Sequence, residues 1–303
     1  MGWSVHGTLR RNSTPEHQEN RIEHLGEAVE TYYADLTDPN SMSNLVSYLK
    51  PDMIFNLAAQ SHVRISFDIP NYTAQVNAIG ALSLFEIVRK ESPESRVYQA
   101  SSSEMFGTAV DLDGYQRETT PMLPASPYGS AKLFAYHSAR TYRDSYGLFI
   151  ANGILFNHES PRRGSNFVTS KIVKGALQIF AGRSRELYLG NLDAFRDWGH
   201  SRDYVKAMLK ILELEAPKDL VIATGQTRSV RDLCQTVFNK LNLDYENYVK
   251  IDPKFYRPKE VPLLKGDARK AQQALGWNPE TTFESLIEEM IDLWAEKLNI
   301  KIT

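Results

Sequence analysis

The chain has 303 residues, is 42% apolar, and carries a formal net charge of −2. It is long enough to bury a large core as one big domain or two closely joined ones. The near-neutral balance argues against a global positive field for nucleic acid or anionic membrane. No apolar run approaches the roughly 18 residues of a membrane span, and residues 1–7 hold no signal-peptide apolar region.

Trp3–Gly7 alternates like a short strand and runs into Arg10 and Arg11. Thr31–Ala34 reads as a second strand, followed by Asp35 and Leu36. Asn40–Leu49 has helical spacing at Met42, Leu45, Val46 and Leu49. Met53–Ala59 is a near-continuous apolar run, as expected of a strand covered on both faces. A long amphipathic helix follows over Asn71–Lys90, then a strand at Val97–Ala100, a helix over Pro127–Tyr146 and a strand at Phe149–Phe156. Strands alternating with helices predict an α/β fold, a Rossmann-like doubly wound parallel sheet.

After about Asn157 the texture changes. Helices are expected over Asn166–Gly182, Ser201–Leu214 and Ser229–Leu241, near Asp267–Leu275, and over Phe283–Lys297. Arg196-Asp197-Trp198-Gly199-His200 reads as a polar loop, with Asp197 and Trp198 structural rather than catalytic. Leu220–Gly225 reads as a strand ending in a turn, and Tyr256–Pro258 as an extended segment. The expected division is a cofactor half over 1–157 and a smaller substrate half over 158–303, with 201–225 returning to the first sheet. The single cysteine, Cys234, rules out an internal disulfide and suits a reducing cytoplasm. It lies in a helical stretch and is expected to be a buried apolar residue.

A nucleotide-binding sheet normally opens with a strand, a Gly-rich loop and a helix, whose N–H groups cradle pyrophosphate. No G-x-x-G-x-x-G or G-x-G-x-x-G occurs in the sequence. The first strand leads instead into two arginines, as the second strand of such a fold does when its cofactor carries a 2′-phosphate. The expectation is a sheet whose first strand is missing, beginning one β-α unit late.

The chemistry-bearing stretch is Ala100-Ser101-Ser102-Ser103-Glu104-Met105-Phe106-Gly107, followed by Ser126-Pro127-Tyr128-Gly129-Ser130-Ala131-Lys132. Ser126 is a natural N-cap and Pro127 fits the first helical position. Tyr128 and Lys132 then lie one turn apart on one helix face. An ammonium beside a phenol favours the phenolate, so Tyr128 is suited to exchange a proton with a substrate hydroxyl. Ser102, at a strand end, is placed to hydrogen-bond the same hydroxyl. No His/Cys/acid cluster has metal-ligand spacing, so no metal is expected.

Ser-Ser-Ser-Glu followed by Tyr-x-x-x-Lys on alternating strands and helices resembles the extended short-chain dehydrogenase/reductases. The stretch Asn152-Gly153-Ile154-Leu155-Phe156-Asn157-His158-Glu159-Ser160-Pro161-Arg162-Arg163-Gly164, with Arg196–His200, resembles within them the GDP-mannose 4,6-dehydratase family. The resemblance runs from about Trp3 to about Trp294. It implies a lyase with an internal redox cycle. C4 of the mannosyl group is oxidised by hydride transfer to NADP, the C5 proton and C6 hydroxyl leave as water, and the hydride returns to C6, giving GDP-4-keto-6-deoxymannose.

The resemblance implies that Tyr128 is the C4 base and that Lys132 lowers its pKa and holds the cofactor ribose. Ser102 would polarise the C4 oxygen where the family usually has Thr; the hydroxyl is kept and a rotamer-restricting methyl is lost. Glu104 would act on the C5 proton and the C6 hydroxyl. For NADP it implies Arg10, Arg11 and Ser13 at the 2′-phosphate, and Asp35 and Leu36 at the adenine. Leu57, Ala58, Ala59, Gln60 and Ser61 would lie along the cofactor, with Tyr72, His158 and Arg163 as further contacts. For GDP-mannose it implies Ser61, Asn157, Lys171, Arg196, Arg257 and Glu260. It also implies a homodimer or homotetramer in which Arg10 and Arg11 reach a neighbour's cofactor, and a place in GDP-fucose biosynthesis. The alternative expectation, motivated by the missing Gly-rich loop, is a catalytically impaired sugar-nucleotide-binding protein.

Overall fold

The fold alternates strands and helices around parallel sheets, in a computed structural model that describes residues 2–11 and 22–302. Strand β1 (His6–Leu9) pairs in parallel with β2 (Glu30–Tyr33), forming a small sheet of its own. Helix α1 (Pro39–Leu49) starts where the Asp38 carboxylate accepts from the Asn40 N–H, and it leads to β3 (Met53–Asn56). Helix α2 (Pro70–Ala74) runs through a π-turn at Gln75–Ile79 into α3 (Gly80–Glu91), which leads to β4 (Arg96–Ser102). After a 3₁₀ turn at Ser103–Met105 come α4 (Pro127–Tyr146), β5 (Ile150–Leu155) and β6 (Asn157–Glu159).

The remaining chain forms α5 (Val168–Phe180), β7 (Leu187–Leu189), β8 (Phe195–Arg196), β9 (Trp198–His200) and α6 (Ser201–Leu212). It continues with β10 (Leu220–Ile222), β11 (Arg228–Ser229), α7 (Val230–Lys240), β12 (Val249–Ile251), α8 (Arg269–Leu275) and α9 (Phe283–Leu298).

The main sheet has the order β10-β5-β4-β3, all parallel, with Leu220 opposite Gly153 at its far edge. Every residue of β5 and all but the first of β4 are buried, as expected of a parallel sheet covered on both faces. Tyr98, Met105, Phe106, Ile154 and Phe156 form its core with α6 and α8. A second core joins α5, α7 and α9 through Ile172, Leu177, Phe238, Ile287 and Met290, and it includes Cys234, which is fully buried.

Helix α4 has both ends specified locally. The Ser126 hydroxyl accepts from the Gly129 N–H, Pro127 follows it, and Gly147 closes the helix in the left-handed conformation at φ 69°, a backbone region open to glycine. Two expectations shift. The first strand lies at His6–Leu9 rather than Trp3–Gly7. Arg196–His200 is not a loop: β8 pairs with β11, and β9 pairs with β6. Strands of two or three residues carry no periodicity of their own and form only because a partner is present.

Candidate active site

The site grows from the carboxyl end of β4, where parallel strands of such sheets present their ligands. Ser102 ends the strand, and its hydroxyl accepts from the Glu104 N–H at 3.2 Å, capping the 3₁₀ turn that carries Glu104. The start of α4 lies against that turn. A Cβ on Gly129 would sit 2.6 Å from the Glu104 carbonyl oxygen, so this close approach needs glycine. The backbone N–H of Tyr128 donates to Ser66 Oγ at 3.2 Å, tying the helix start to the loop after β3. Tyr128 thereby comes near Ser102, whose hydroxyl acts to lower the phenol's pKa.

Burial sets the electrostatics here. It pushes the Tyr128 phenol up to about 12; the Glu104 carboxylate adds to this, while Ser102 and Arg163 oppose it. Burial also brings Lys132 down to about 8. The Lys132 ammonium donates to the Ala100 carbonyl at 2.8 Å and stands 6.0 Å from the centre of the Tyr128 ring. Desolvation penalises the charged form of both groups. A phenol with lowered pKa, as the Tyr–Lys spacing suggests, is therefore not what this arrangement of the two residues produces by itself.

Glu104, 7% exposed, takes an ion pair from Arg257 Nη1 at 3.0 Å. The same nitrogen lies 4.0 Å from Glu260 Oε1, which accepts from Arg196 Nη2 at 3.1 Å and from the Val261 N–H at 3.0 Å. Arg196 is anchored further, its Nη1 donating to the carbonyls of Phe195 and Val261, both at 2.8 Å. Two carboxylates and two guanidiniums from three parts of the chain thus form one chain of charge. Lys171, on α5, sits over the Phe255 ring at 3.4 Å, and burial lowers its pKa, with Lys254 nearby adding to the effect.

Strand β6 and the loop after it supply a third group. His158 is brought down to about 4 by burial, so it is neutral at pH 7. Its Nδ1 lies 2.9 Å from the Phe156 carbonyl and its ring stacks on Tyr204 at 5.1 Å. Asn157 has a buried Oδ1 with no hydrogen-bond partner. Arg163 lies over the Phe167 ring at 3.6 Å, with Nε 3.0 Å from Glu159 Oε2 but off the line of a hydrogen bond. Glu159, 2% exposed, also accepts from Thr169 Oγ1 at 2.7 Å. Sequence reasoning overlooks Glu159; its only signal is an acid four residues before an arginine.

At the β1 end, Arg10 donates to the Tyr72 hydroxyl and lies over its ring, and Arg11 lies over Tyr33 at 5.7 Å. Ser13 falls outside the described residues. Asp35 is engaged locally, its Oδ1 accepting from the Thr37 N–H and hydroxyl at 2.8 Å each. Leu36 packs into the core against Gly80. Leu57, Ala58 and Ser61 are exposed and Ala59 is half-buried. Gln60 holds its own loop: its N–H donates to Asn77 Oδ1 at 2.8 Å, and its Oε1 accepts from the His62 N–H at 2.6 Å. Asp197 is a structural hub, accepting from the Thr224 N–H and hydroxyl at 2.9 and 2.6 Å and from the Gly225 N–H at 2.8 Å. No group of three or more His, Cys, Asp or Glu side chains suited to a metal occurs among the described residues.

The family model described as GDP-mannose 4,6 dehydratase matches residues 1–290. GDP-mannose 4,6 dehydratase 2 of Arabidopsis thaliana is 47% identical, over 96% of this chain and 80% of the relative. The Homo sapiens GDP-mannose 4,6 dehydratase is 44% identical, over 96% of this chain and 84% of the relative. Among solved structures, RMD from Pseudomonas aeruginosa complexed with NADPH has a TM-score of 0.81 at 22% identity, over 97% of this chain and all of that one. A UDP-glucose 4-epimerase from Thermotoga maritima with UDP-glucose has a TM-score of 0.85 at 24% identity, over 98% and 92% of the two chains. These structural likenesses establish the Rossmann-like fold.

Proposed function

The chain belongs to the GDP-mannose 4,6 dehydratase family, and from that premise we propose that it converts GDP-mannose to GDP-4-keto-6-deoxymannose with NADP as cofactor. The observation that carries this reading is the carboxylate of Glu104 beside the Ser102–Tyr128 pair, with cations behind it. A simple sugar oxidoreductase needs the hydroxyl pair alone. Elimination needs an acid–base group as well.

The residues fit a nicotinamide dinucleotide phosphate at its two ends. Arg10 and Arg11 would take the 2′-phosphate, and Lys132 the nicotinamide ribose, with His158 and Arg163 flanking. When bound, the cofactor would supply the hydride acceptor for C4 and hand the same hydride back to C6. Tyr128 takes the C4 hydroxyl proton, with Ser102 polarising that oxygen. A cation delivered near the phenol lowers its proton affinity, which counters the upward push of burial. Glu104 accepts the C5 proton, acidified by the C4 ketone, and a proton from it leaves with the C6 hydroxyl as water. The carboxylate returns to its starting charge and the double bond forms between C5 and C6.

Arg196, Arg257 and Lys171 would face the dianionic nucleotide sugar, with Glu260, Asn157 and Ser61 as polar contacts. A homodimer or homotetramer is proposed with this reading. The impaired-binder alternative finds nothing in its favour.

Purified protein incubated with GDP-mannose and catalytic NADP should release the 4-keto-6-deoxy sugar without net NADPH accumulation. Glu104→Gln should lower turnover by about 10²–10⁴-fold. Recovery of an epimer, or unchanged turnover in the variant, would refute the reading.

A further inference from the structure

Arg196 and Arg257 face the same carboxylate pair but are held differently. Arg196 is 6% exposed and is anchored by two backbone carbonyls as well as Glu260. Among the described residues, Arg257 has only carboxylates as hydrogen-bond or ion-pair partners, Glu104 at 3.0 Å and Glu260 at 4.0 Å. It lies just past the 3₁₀ turn Pro253–Phe255, in a segment without regular structure. Its side chain is 23% exposed, whereas that of Glu104 is 9% exposed. Among the described residues, Arg257 is the one side chain that bonds the Glu104 carboxylate. The charged or titratable groups around Glu104 are Arg257, Arg196 and Tyr128.

A guanidinium bonded to a carboxylate through one nitrogen is readily captured by a diphosphate, whose oxygens accept bidentate pairs. The geometry points to Arg257 as a shared cation, for which the Glu104 carboxylate and the substrate's diphosphate compete. Seating the diphosphate draws Arg257 off Glu104 and releases that carboxylate for the C5 proton. Arg257 is thus a positioning residue that couples nucleotide recognition to the acid–base step. Arg196, fixed by backbone, keeps the site cationic throughout. This inference rests on the nucleotide-sugar reading of the site and deepens it.

Competition has a sign that a merely structural ion pair lacks. Removing the Glu104 charge frees Arg257 for phosphate, so the inactive variant should bind the nucleotide more tightly. Calorimetric titration of GDP into the full chain checks this, with thermal melts confirming that each variant folds. Glu104→Gln is expected to bind GDP about 5-fold or more tightly than wild type, the lower range of such couplings. Arg257→Gln should bind GDP more weakly, and in that background Glu104→Gln should give no further gain. Glu104→Ala serves as a second charge-removing variant if the Gln form does not fold. An unchanged or weakened GDP affinity on removing Glu104, or the same gain without Arg257, overturns the exchange. GDP-mannose turnover measured alongside separates the two failures: product with no such gain defeats the exchange alone, whereas neither GDP binding nor product defeats the site reading with it.

Discussion

The main sheet and the β1–β2 ribbon differ in what surrounds them. β4 and β5 are buried along nearly their whole length and carry Ser102 at the end of β4. β1 and β2 are exposed or half-exposed throughout, and β1 leads to Arg10 and Arg11. Ser102, Tyr128 and Lys132 therefore stand on packed elements, where burial sets the direction of the Tyr128 and Lys132 shifts. The two arginines stand on a lightly covered ribbon and are steadied by aromatic faces, Tyr72 and Tyr33. Atom-scale placement is needed where protons move, whereas a phosphate is held by charge and tolerates a looser support.

The sharpest way to break this contrast is to remove one aromatic ring from each region. Phe106, fully buried at the end of the Glu104 turn, should cost about 3–5 kcal/mol as Phe106→Ala. Tyr33, 62% exposed, should change stability by no more than about 0.5 kcal/mol as Tyr33→Ala. Denaturant unfolding measures both, and comparable losses would show that the ribbon is as tightly packed as the main sheet.

A smaller effect concerns cofactor choice. The double variant Arg10→Ala, Arg11→Ala should weaken NADP binding by about 10–100-fold, on the scale of hydrogen bonds to charged groups. NAD binding should change by less than about threefold, because the lost contacts are to the 2′-phosphate. Parallel fluorescence titrations with the two cofactors check this, and an equal loss for both would move the arginines away from that phosphate.

The smallest effect is a pH slope. Burial holds Lys132 at about 8 in the folded chain against 10.5 ordinarily. The unfolded chain therefore binds the extra proton between these values, and stability rises with pH across that window. From pH 7.5 to 9, wild type should gain about 1 kcal/mol relative to Lys132→Met. Unfolding curves of both proteins at the two pH values give the difference. A flat difference would mean that Lys132 keeps its proton through the window.

Much of the site is local enough to be read from residue order. Ser126, Pro127 and Gly147 specify the ends of α4, and helical geometry alone puts Tyr128 and Lys132 on one face. The apolar runs at β3, β4 and β5 mark the parallel sheet, and Cys234 is legible as a core residue because it sits on a helical stripe. These features depend on neighbours a few residues away, so the sequence by itself determines them.

Other features belong to the tertiary structure alone. The Glu104–Arg257 pair spans 153 positions, and no spacing rule connects such partners. The Glu159 carboxylate meets Thr169 as well as Arg163 only because the loop after β6 folds back onto α5. β8 and β9 exist through strands 30 or more residues away. Residue order also puts an ammonium beside a phenol, but folding decides what their proximity does. Closing α4 over β4 removes water from both groups, and desolvation raises the phenol and lowers the amine.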